Sequence, residues 1–128
     1  MIEKIFTEKA PAAIGPYSQA VTVNGMLYTS GQIPINPATG EIDTPDIAGQ
    51  TLQVMKNLGE VLKAGGASFE TAVKTTCFLA DMGDFAAFNE IYASYFTGRP
   101  ARSCVAVKTL PKNVLVEVEV IAYVREQI

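Results

Sequence analysis

The sequence predicts an α+β domain in which two helices pack on one face of a mixed β-sheet. Six segments have the alternating or β-branched character of strands, and two have the three- and four-residue apolar spacing of amphipathic helices. Their order, β-β-β-α-β-α-β-β, suits a layer of helices on a sheet. With 128 residues, 48% hydrophobic and 18% charged, the chain can form one core, so we assign a single domain to residues 1–128.

The first three predicted strands precede a loop. Residues 2–7 and 19–30 have strand character, and Asn24-Gly25 divides the second segment into two apolar runs. Asn-Gly between such runs is a strong signal for a tight hairpin turn. Residues 34–46 are rich in Pro, Gly and Asp and therefore predict a loop.

The first helix is predicted to begin at Thr44-Pro45-Asp46, which offers a hydroxyl cap, a first-turn proline and an acid at the positive dipole end. It should end at Gly65-Gly66. One apolar stripe follows the helical spacing: Ile47, Thr51, Met55, Leu58 and Leu62.

The second half of the chain predicts a strand, a helix and a closing hairpin. Residues 70–80 are rich in β-branched residues, and Asp84 should cap a second helix that stops near Gly98. That helix carries aromatic residues on one face: Phe85, Phe88, Tyr92 and Tyr95. Residues 102–108 and 114–124 then predict a hairpin of two strands.

The last strand has two different faces. One is aliphatic and should meet the helices: Val114, Val116, Val118, Val120 and Ala122. The other mixes apolar and acidic residues: Leu115, Glu117, Glu119, Ile121 and Tyr123. The mixed face is too apolar for simple exposure and too charged for a core, which favours a subunit interface containing a polar pocket.

The closing hairpin offers a candidate small-molecule site. Pairing of Val107 with Val114 would place four side chains together on the face away from the helices: Arg102, Cys104, Glu117 and Glu119. A guanidinium can hold a carboxylate through two parallel hydrogen bonds, and a carboxylate can activate water. The alternatives are a structural Arg–Glu pair and, for the cysteine, a thiol that only packs in the core.

Two other stretches could contribute to a pocket. Gly15-Pro16 makes a turn before Tyr17, whose hydroxyl could cover a ligand; the alternative is an aromatic residue packed on the core. Ser30-Gly31 ends a strand where backbone N–H groups could meet a ligand oxygen; the alternative is an ordinary strand-ending turn.

The composition excludes several kinds of function. The chain has no histidine, which excludes Ser/His and Cys/His nucleophiles and His-ligated metals. Its two cysteines, Cys77 and Cys104, do not form a disulfide framework. A net charge of −3 without a basic run argues against nucleic-acid binding. We expect a cytoplasmic protein without membrane association, because the chain shows neither a secretory signal nor an apolar run of ~20 residues.

Four long motifs together resemble the Rid family of imine deaminases, also known as YjgF-like proteins. They are "APAAIGPYSQAV", "TSGQIPINPATGEI", "VKTTCFLADMGDFAAFNEIYASYF" and "PARSCVAVKTLPKNVLVEVEVIA", and they cover nearly the whole chain in order. The resemblance implies a chorismate-mutase-like fold and a homotrimer with a central β-barrel and sites between subunits. It also implies hydrolysis of 2-imino acids such as 2-iminobutanoate, or of their enamine tautomers such as 2-aminoacrylate, to 2-keto acids and ammonia, without a metal or organic cofactor.

The resemblance assigns roles position by position. Arg102 matches the residue that grips the substrate carboxylate, and Glu117 matches the acid that positions or activates water. The pocket residues are Tyr17, Ser30, Gly31, Asn89, Ser103 and Cys104. Two other functions share the same scaffold: a non-catalytic trimer that binds keto acids or amino acids as a regulator or chaperone, and a ribonuclease or translation inhibitor. The acidic balance of the chain disfavours the last of these.

Overall fold

The computed structural model describes residues 1–125 and contains six strands and two helices in the predicted order. The strands are β1 (Glu3–Ile5), β2 (Ala20–Val23), β3 (Met26–Thr29), β4 (Ala72–Leu79), β5 (Ala101–Ala106) and β6 (Val116–Tyr123). The helices are α1 (Ile47–Ala64) and α2 (Phe85–Tyr95). In the described chain, no helix has the length and apolar character needed to cross a membrane.

The six strands form one mixed sheet in the order β1-β2-β3-β6-β4-β5. Strands β4 and β5 pair in parallel, and the other neighbours are antiparallel. Both helices cover the face that presents the buried aliphatic residues of β6, as the alternation in that strand predicts. The predicted α+β class with a mixed sheet is therefore confirmed.

The predicted closing hairpin is wrong, because β5 and β6 are not neighbours. Strand β4 lies between them, with Cys77 beside Cys104 on one side and beside Val118 on the other. The connection from residue 107 to residue 115 is long enough to step across the end of β4. It turns through Lys112 and Asn113, both at a positive φ of 55°. Alternating apolar runs around a turn predict two strands but do not say whether those strands pair.

The predictions from short sequence motifs, for turns and helix starts, were more reliable than the prediction of strand pairing. Asn24 and Gly25 form the predicted β2–β3 turn, with φ values of 50° and 77°. Helix α1 is capped by Asp46, whose Oδ2 accepts from the Gly49 N–H at 3.3 Å, and not by the predicted Thr44 hydroxyl. Asp84 precedes α2 as predicted, although its side chain makes no capping bond.

The sheet face away from the helices carries exposed apolar side chains. Tyr28, Val105 and Tyr123 lie on this face, and each is about half exposed in the single chain. Glu117 and Glu119 lie among them on β6, in agreement with the mixed face predicted from the sequence. Such a surface is typical of an interface and not of a solvated sheet.

Candidate functional site

Arg102 lies on the edge strand β5 and points toward helix α2. Its guanidinium carbon lies 5.4 Å from the ring centre of Phe85 and 4.8 Å from that of Tyr92. Its Nη1 donates to Asn89 Oδ1 at 2.5 Å. Helix α2 presents these three partners from one face, because residues 85, 89 and 92 are four and three positions apart.

The charge of Arg102 has no acidic partner among residues 1–125. Within that range the one ion pair joins Arg125 to Glu70 on the exposed surface, at 3.2 Å. A cavity of about 670 Å³ lies beside the guanidinium. Its lining includes Asn89, Tyr92, Phe96, Arg99, Pro100 and Arg102. The guanidinium can therefore receive an anionic group from a small molecule.

Cys104 lies on the same face as Arg102, next to Cys77 on β4. Burial raises the pKa of Cys104, opposed by the nearby Arg102 charge, and raises the pKa of Cys77 to about 12. Both thiols therefore stay protonated near neutral pH, which is unsuited to a nucleophile. Cys104 can serve as a wall of the site. In the described residues, no three His, Cys, Asp or Glu side chains cluster closely enough to hold a metal ion.

Glu117 lies in a second cavity, on the opposite face of the sheet. This cavity has a volume of about 400 Å³ and is lined by Tyr17, Ser30, Gly31, Ile33, Pro111 and Glu117. The backbone of Gln32 exchanges two hydrogen bonds with Val118, at 2.9 and 3.2 Å, and so holds the preceding Gly31 beside Glu117. The Ser30 hydroxyl donates to the Ser18 carbonyl at 2.6 Å, which leaves its oxygen lone pairs free to accept.

The carboxyl group of Glu117 is half-buried beside another acid. Burial raises its pKa, and the charge of Glu119 raises it further. Both effects act in the same direction, and within residues 1–125 no cation is among the causes of the shift in this pKa. A carboxylate with a raised pKa is a better proton acceptor than an exposed one.

The absence of a side chain at Gly31 leaves the space that the Glu117 carboxyl occupies. A Cβ at position 31 would lie 2.8 Å from Glu117 Cδ. We expect Gly31→Ala to push the carboxyl aside and to reduce kcat by about 100-fold, as a displacement near 1 Å can do. Gly98→Ala is the matched control, because its Cβ would meet nothing closer than 3.9 Å. Equal kcat values for the two variants in steady-state assays would show that activity does not depend on the space that Gly31 leaves for the Glu117 carboxyl.

The structure divides the predicted site residues between two places. The arginine half-site comprises Asn89, Arg102 and Cys104. The glutamate half-site comprises Tyr17, Ser30, Gly31 and Glu117. Ser103 points to the same face as Glu117 but lies on the edge strand, in register with Thr76 and Glu119.

The predicted single face for Arg102, Cys104, Glu117 and Glu119 is therefore wrong. In the observed register Arg102 lies beside Thr75, which in turn pairs with Val120, and this row of side chains faces the helices. Glu117 lies beside Phe78 and faces away from the helices. The prediction depended on direct pairing of the last two strands, and the intervening β4 changes which residues share a face.

Sequence reasoning assigned Phe85 and Tyr92 only to the buried face of α2 and missed their contact with Arg102. Tyr92 is buried as expected, but its ring also packs on the guanidinium. The signal that could have identified this contact is Asn89, a polar residue at helical spacing between two aromatic ones. An amide on the aromatic face of a helix indicates that this face contacts a polar side chain.

Comparisons with known proteins agree with the fold. The sequence profile described as Endoribonuclease L-PSP matches residues 7–124. The mouse protein named 2-iminobutanoate/2-iminopropanoate deaminase is 51% identical over 92% of this chain and 88% of its own length. The structure of E. coli TdcF with bound serine is 44% identical, with a TM-score of 0.90, and covers 97% of this chain and 99% of that one.

The E. coli YjgF gene product, solved by crystallography, is 47% identical and superimposes with a TM-score of 0.90. The alignment covers 96% of this chain and 99% of the YjgF chain. Near-complete coverage in both directions means that the two chains share the whole fold and not a single motif. The chain therefore belongs to the Rid family, which includes the YjgF-like and L-PSP proteins.

Proposed function

We propose that this protein hydrolyses small 2-imino acids such as 2-iminobutanoate, and their enamine tautomers such as 2-aminoacrylate, to 2-keto acids and ammonia. The observation that carries the proposal is the guanidinium of Arg102, which lies beside a cavity without an acidic partner in the described chain. Such a group suits the carboxylate that every 2-imino acid carries. The name of the mouse relative supports the same reaction.

The complete site is proposed to form between two copies of the chain. Arg102 and Glu117 point to opposite faces of one sheet, so a single chain cannot present both to a small substrate. The exposed apolar residues around Glu117 give the second copy a surface to cover. We propose a homotrimer of chorismate-mutase-like subunits, in which these sheet faces line a central barrel and each cleft joins two different half-sites.

In the proposed mechanism, Arg102 holds the substrate carboxylate and leaves the C=N carbon facing the glutamate half-site. Glu117 accepts a proton from water as the water oxygen attacks that carbon. The Glu117 proton passes to the nitrogen, which gives a carbinolamine. Glu117 then takes the hydroxyl proton and passes it to the amino group as the C–N bond breaks, so that ammonia leaves with a 2-keto acid as the second product. Tyr17, Ser30 and Gly31 line the same cavity as Glu117, and we propose that the Tyr17 hydroxyl, the Ser30 oxygen and the Gly31 N–H orient the water or the substrate. Ser103 is proposed to act from the neighbouring strand edge.

Imino acids of this kind leak from pyridoxal-phosphate enzymes and damage related enzymes, so we propose a protective role in the cytoplasm. The proposal is tested by generating 2-iminobutanoate enzymatically and measuring 2-ketobutanoate and ammonia release with and without this protein. We expect faster release with the protein. Release at the buffer rate, together with tight binding of 2-ketobutanoate or serine, would instead support the amino-acid-binding regulator.

The raised pKa of Glu117 predicts the pH dependence of the reaction. The carboxyl must be ionised to accept a proton, so kcat/KM should fall as the pH drops through its pKa in the folded protein. Because burial and Glu119 raise that pKa, the fall should occur at higher pH than for an exposed glutamate. Glu119→Gln removes one of the two causes, so the acid limb of its pH–rate profile should move to lower pH. An unchanged limb would exclude Glu117 as the titrating group.

A further inference from the structure

In the part of the chain that the structure describes, the Arg102 guanidinium has one hydrogen-bond partner and two aromatic contacts, and these three groups are neutral. Asn89 accepts one hydrogen bond at 2.5 Å, and the rings of Phe85 and Tyr92 pack at 5.4 and 4.8 Å. All three partners belong to α2, whereas Arg102 belongs to β5. The helix therefore braces a side chain that an edge strand would otherwise leave to rotate.

The ring of Tyr92 is itself fixed in place. Its hydroxyl lies 2.7 Å from Thr75 Oγ1, in a buried hydrogen bond. Thr75 is in register with Arg102 on the adjoining strand, so the bond ties the helix to the sheet directly beside the guanidinium. The ring also stacks on Phe96, with centroids 4.6 Å apart. Tyr92 thus presents a stationary face to Arg102.

We infer that Asn89 and Tyr92 are positioning residues that hold the Arg102 guanidinium through neutral contacts. Its orientation is then fixed while its charge stays available for the substrate carboxylate. A ring packed on a guanidinium leaves the in-plane N–H donors free, and an amide occupies one donor without cancelling charge. An acid in place of Asn89 would fix the same side chain but would compete with the substrate. This inference rests on the proposed function.

Asn89→Asp separates positioning from a purely structural role. The new carboxylate would pair with Arg102, so we expect the dissociation constant for 2-ketobutanoate to rise at least about 10-fold, since close charge pairs couple strongly. The melting temperature should stay the same or rise, because an ion pair replaces a neutral bond. A structural asparagine would instead give parallel changes in affinity and stability. Calorimetric titration and thermal unfolding of the same assembled protein measure the two quantities.

Tyr92→Leu tests the ring, with Phe88→Leu as its control. Phe88 is buried on the same helix and its ring centre lies 5.6 Å from that of Tyr92, so both variants lose core packing. Of these two rings, that of Tyr92 contacts Arg102. We expect Tyr92→Leu to raise the KM for 2-iminobutanoate by about 2- to 30-fold, the range of a cation–π contact, with kcat little changed. Phe88→Leu should lower the melting temperature without raising KM.

The outcomes distinguish this inference from the function on which it rests. If Arg102→Ala weakens 2-ketobutanoate binding but Asn89→Asp binds it as tightly as wild type, the positioning role of Asn89 is wrong, while Arg102 remains the residue that binds the carboxylate. Equal KM values for the Tyr92 and Phe88 variants would also overturn the inference. If Arg102→Ala itself leaves binding unchanged, both the carboxylate-binding role of Arg102 and the positioning roles of Asn89 and Tyr92 are overturned.

Discussion

Arg102→Ala is expected to reduce kcat/KM for 2-iminobutanoate by about 100-fold or more, and to weaken 2-ketobutanoate binding to a similar extent. Removing one member of a desolvated, hydrogen-bonded charge pair costs ~2–5 kcal/mol. Here the missing member is the only proposed partner of the substrate carboxylate. Arg102→Lys should recover part of the binding, since it restores the charge without the planar pair of donors.

Arg125→Ala is the control for the loss of an arginine. Arg125 is exposed and pairs with Glu70 at 3.2 Å, away from both cavities. Exposed pairs contribute ~1 kcal/mol or less, so activity and melting temperature should change little. Near-normal imine hydrolysis by Arg102→Ala, measured as ammonia release, would remove the basis for the arginine half-site.

Glu117→Gln is expected to lower kcat by about 10²–10⁴-fold, the usual contribution of a positioned general base. The amide is similar in size and fills the same space beside Gly31, but it cannot take a proton from water. Binding of 2-ketobutanoate should persist, because Arg102 is untouched. Glu119→Gln is the matched control for kcat at a pH above the acid limb, where its effect on the pKa of Glu117 does not matter. Glu119 lies two residues along the same strand face and lines neither cavity.

The two inactive variants also test how the site is divided. If Arg102 of one subunit works with Glu117 of another, co-refolding equal amounts of Arg102→Ala and Glu117→Gln should restore about a quarter of the sites in random closed assemblies. Each restored site combines the intact half-sites of two different chains. A mixture as inactive as its components, with mixed assemblies demonstrated by mass spectrometry, would contradict the shared site.

The sequence was sufficient for elements that depend on neighbouring residues. The Asn24-Gly25 turn, the two faces of β6 and the apolar stripe of α1 follow from local sterics and from the helical and strand periods. The resemblance of long segments named Arg102, Asn89 and Glu117, which the structure places beside the two cavities, but it did not name Phe85 or Tyr92. These features need only a few consecutive positions, so long-range pairing cannot change them.

The arrangement of the half-sites needed information that the sequence does not hold locally. Whether β5 pairs with β6 or with β4 depends on packing across the whole fold, and alternation within one segment does not specify it. A change of neighbour moved Arg102 from the outer face to the helix face. Asn89 and Tyr92 contact Arg102 because Arg102 lies on the helix face. The predicted pairing placed Arg102 on the other face, so it could not predict these contacts.

The placement of the two half-sites on opposite faces gives a counting rule for assemblies. If the site is shared between copies as proposed, each chain of a closed ring gives its arginine to one neighbour's site and its glutamate to the other's, so every chain added brings one working centre. An open chain of subunits leaves one end without a partner, and a lone subunit has none. The specific activity should therefore decline on dilution as the subunits dissociate, so the enzymatic rate would report the fraction of assembled protein.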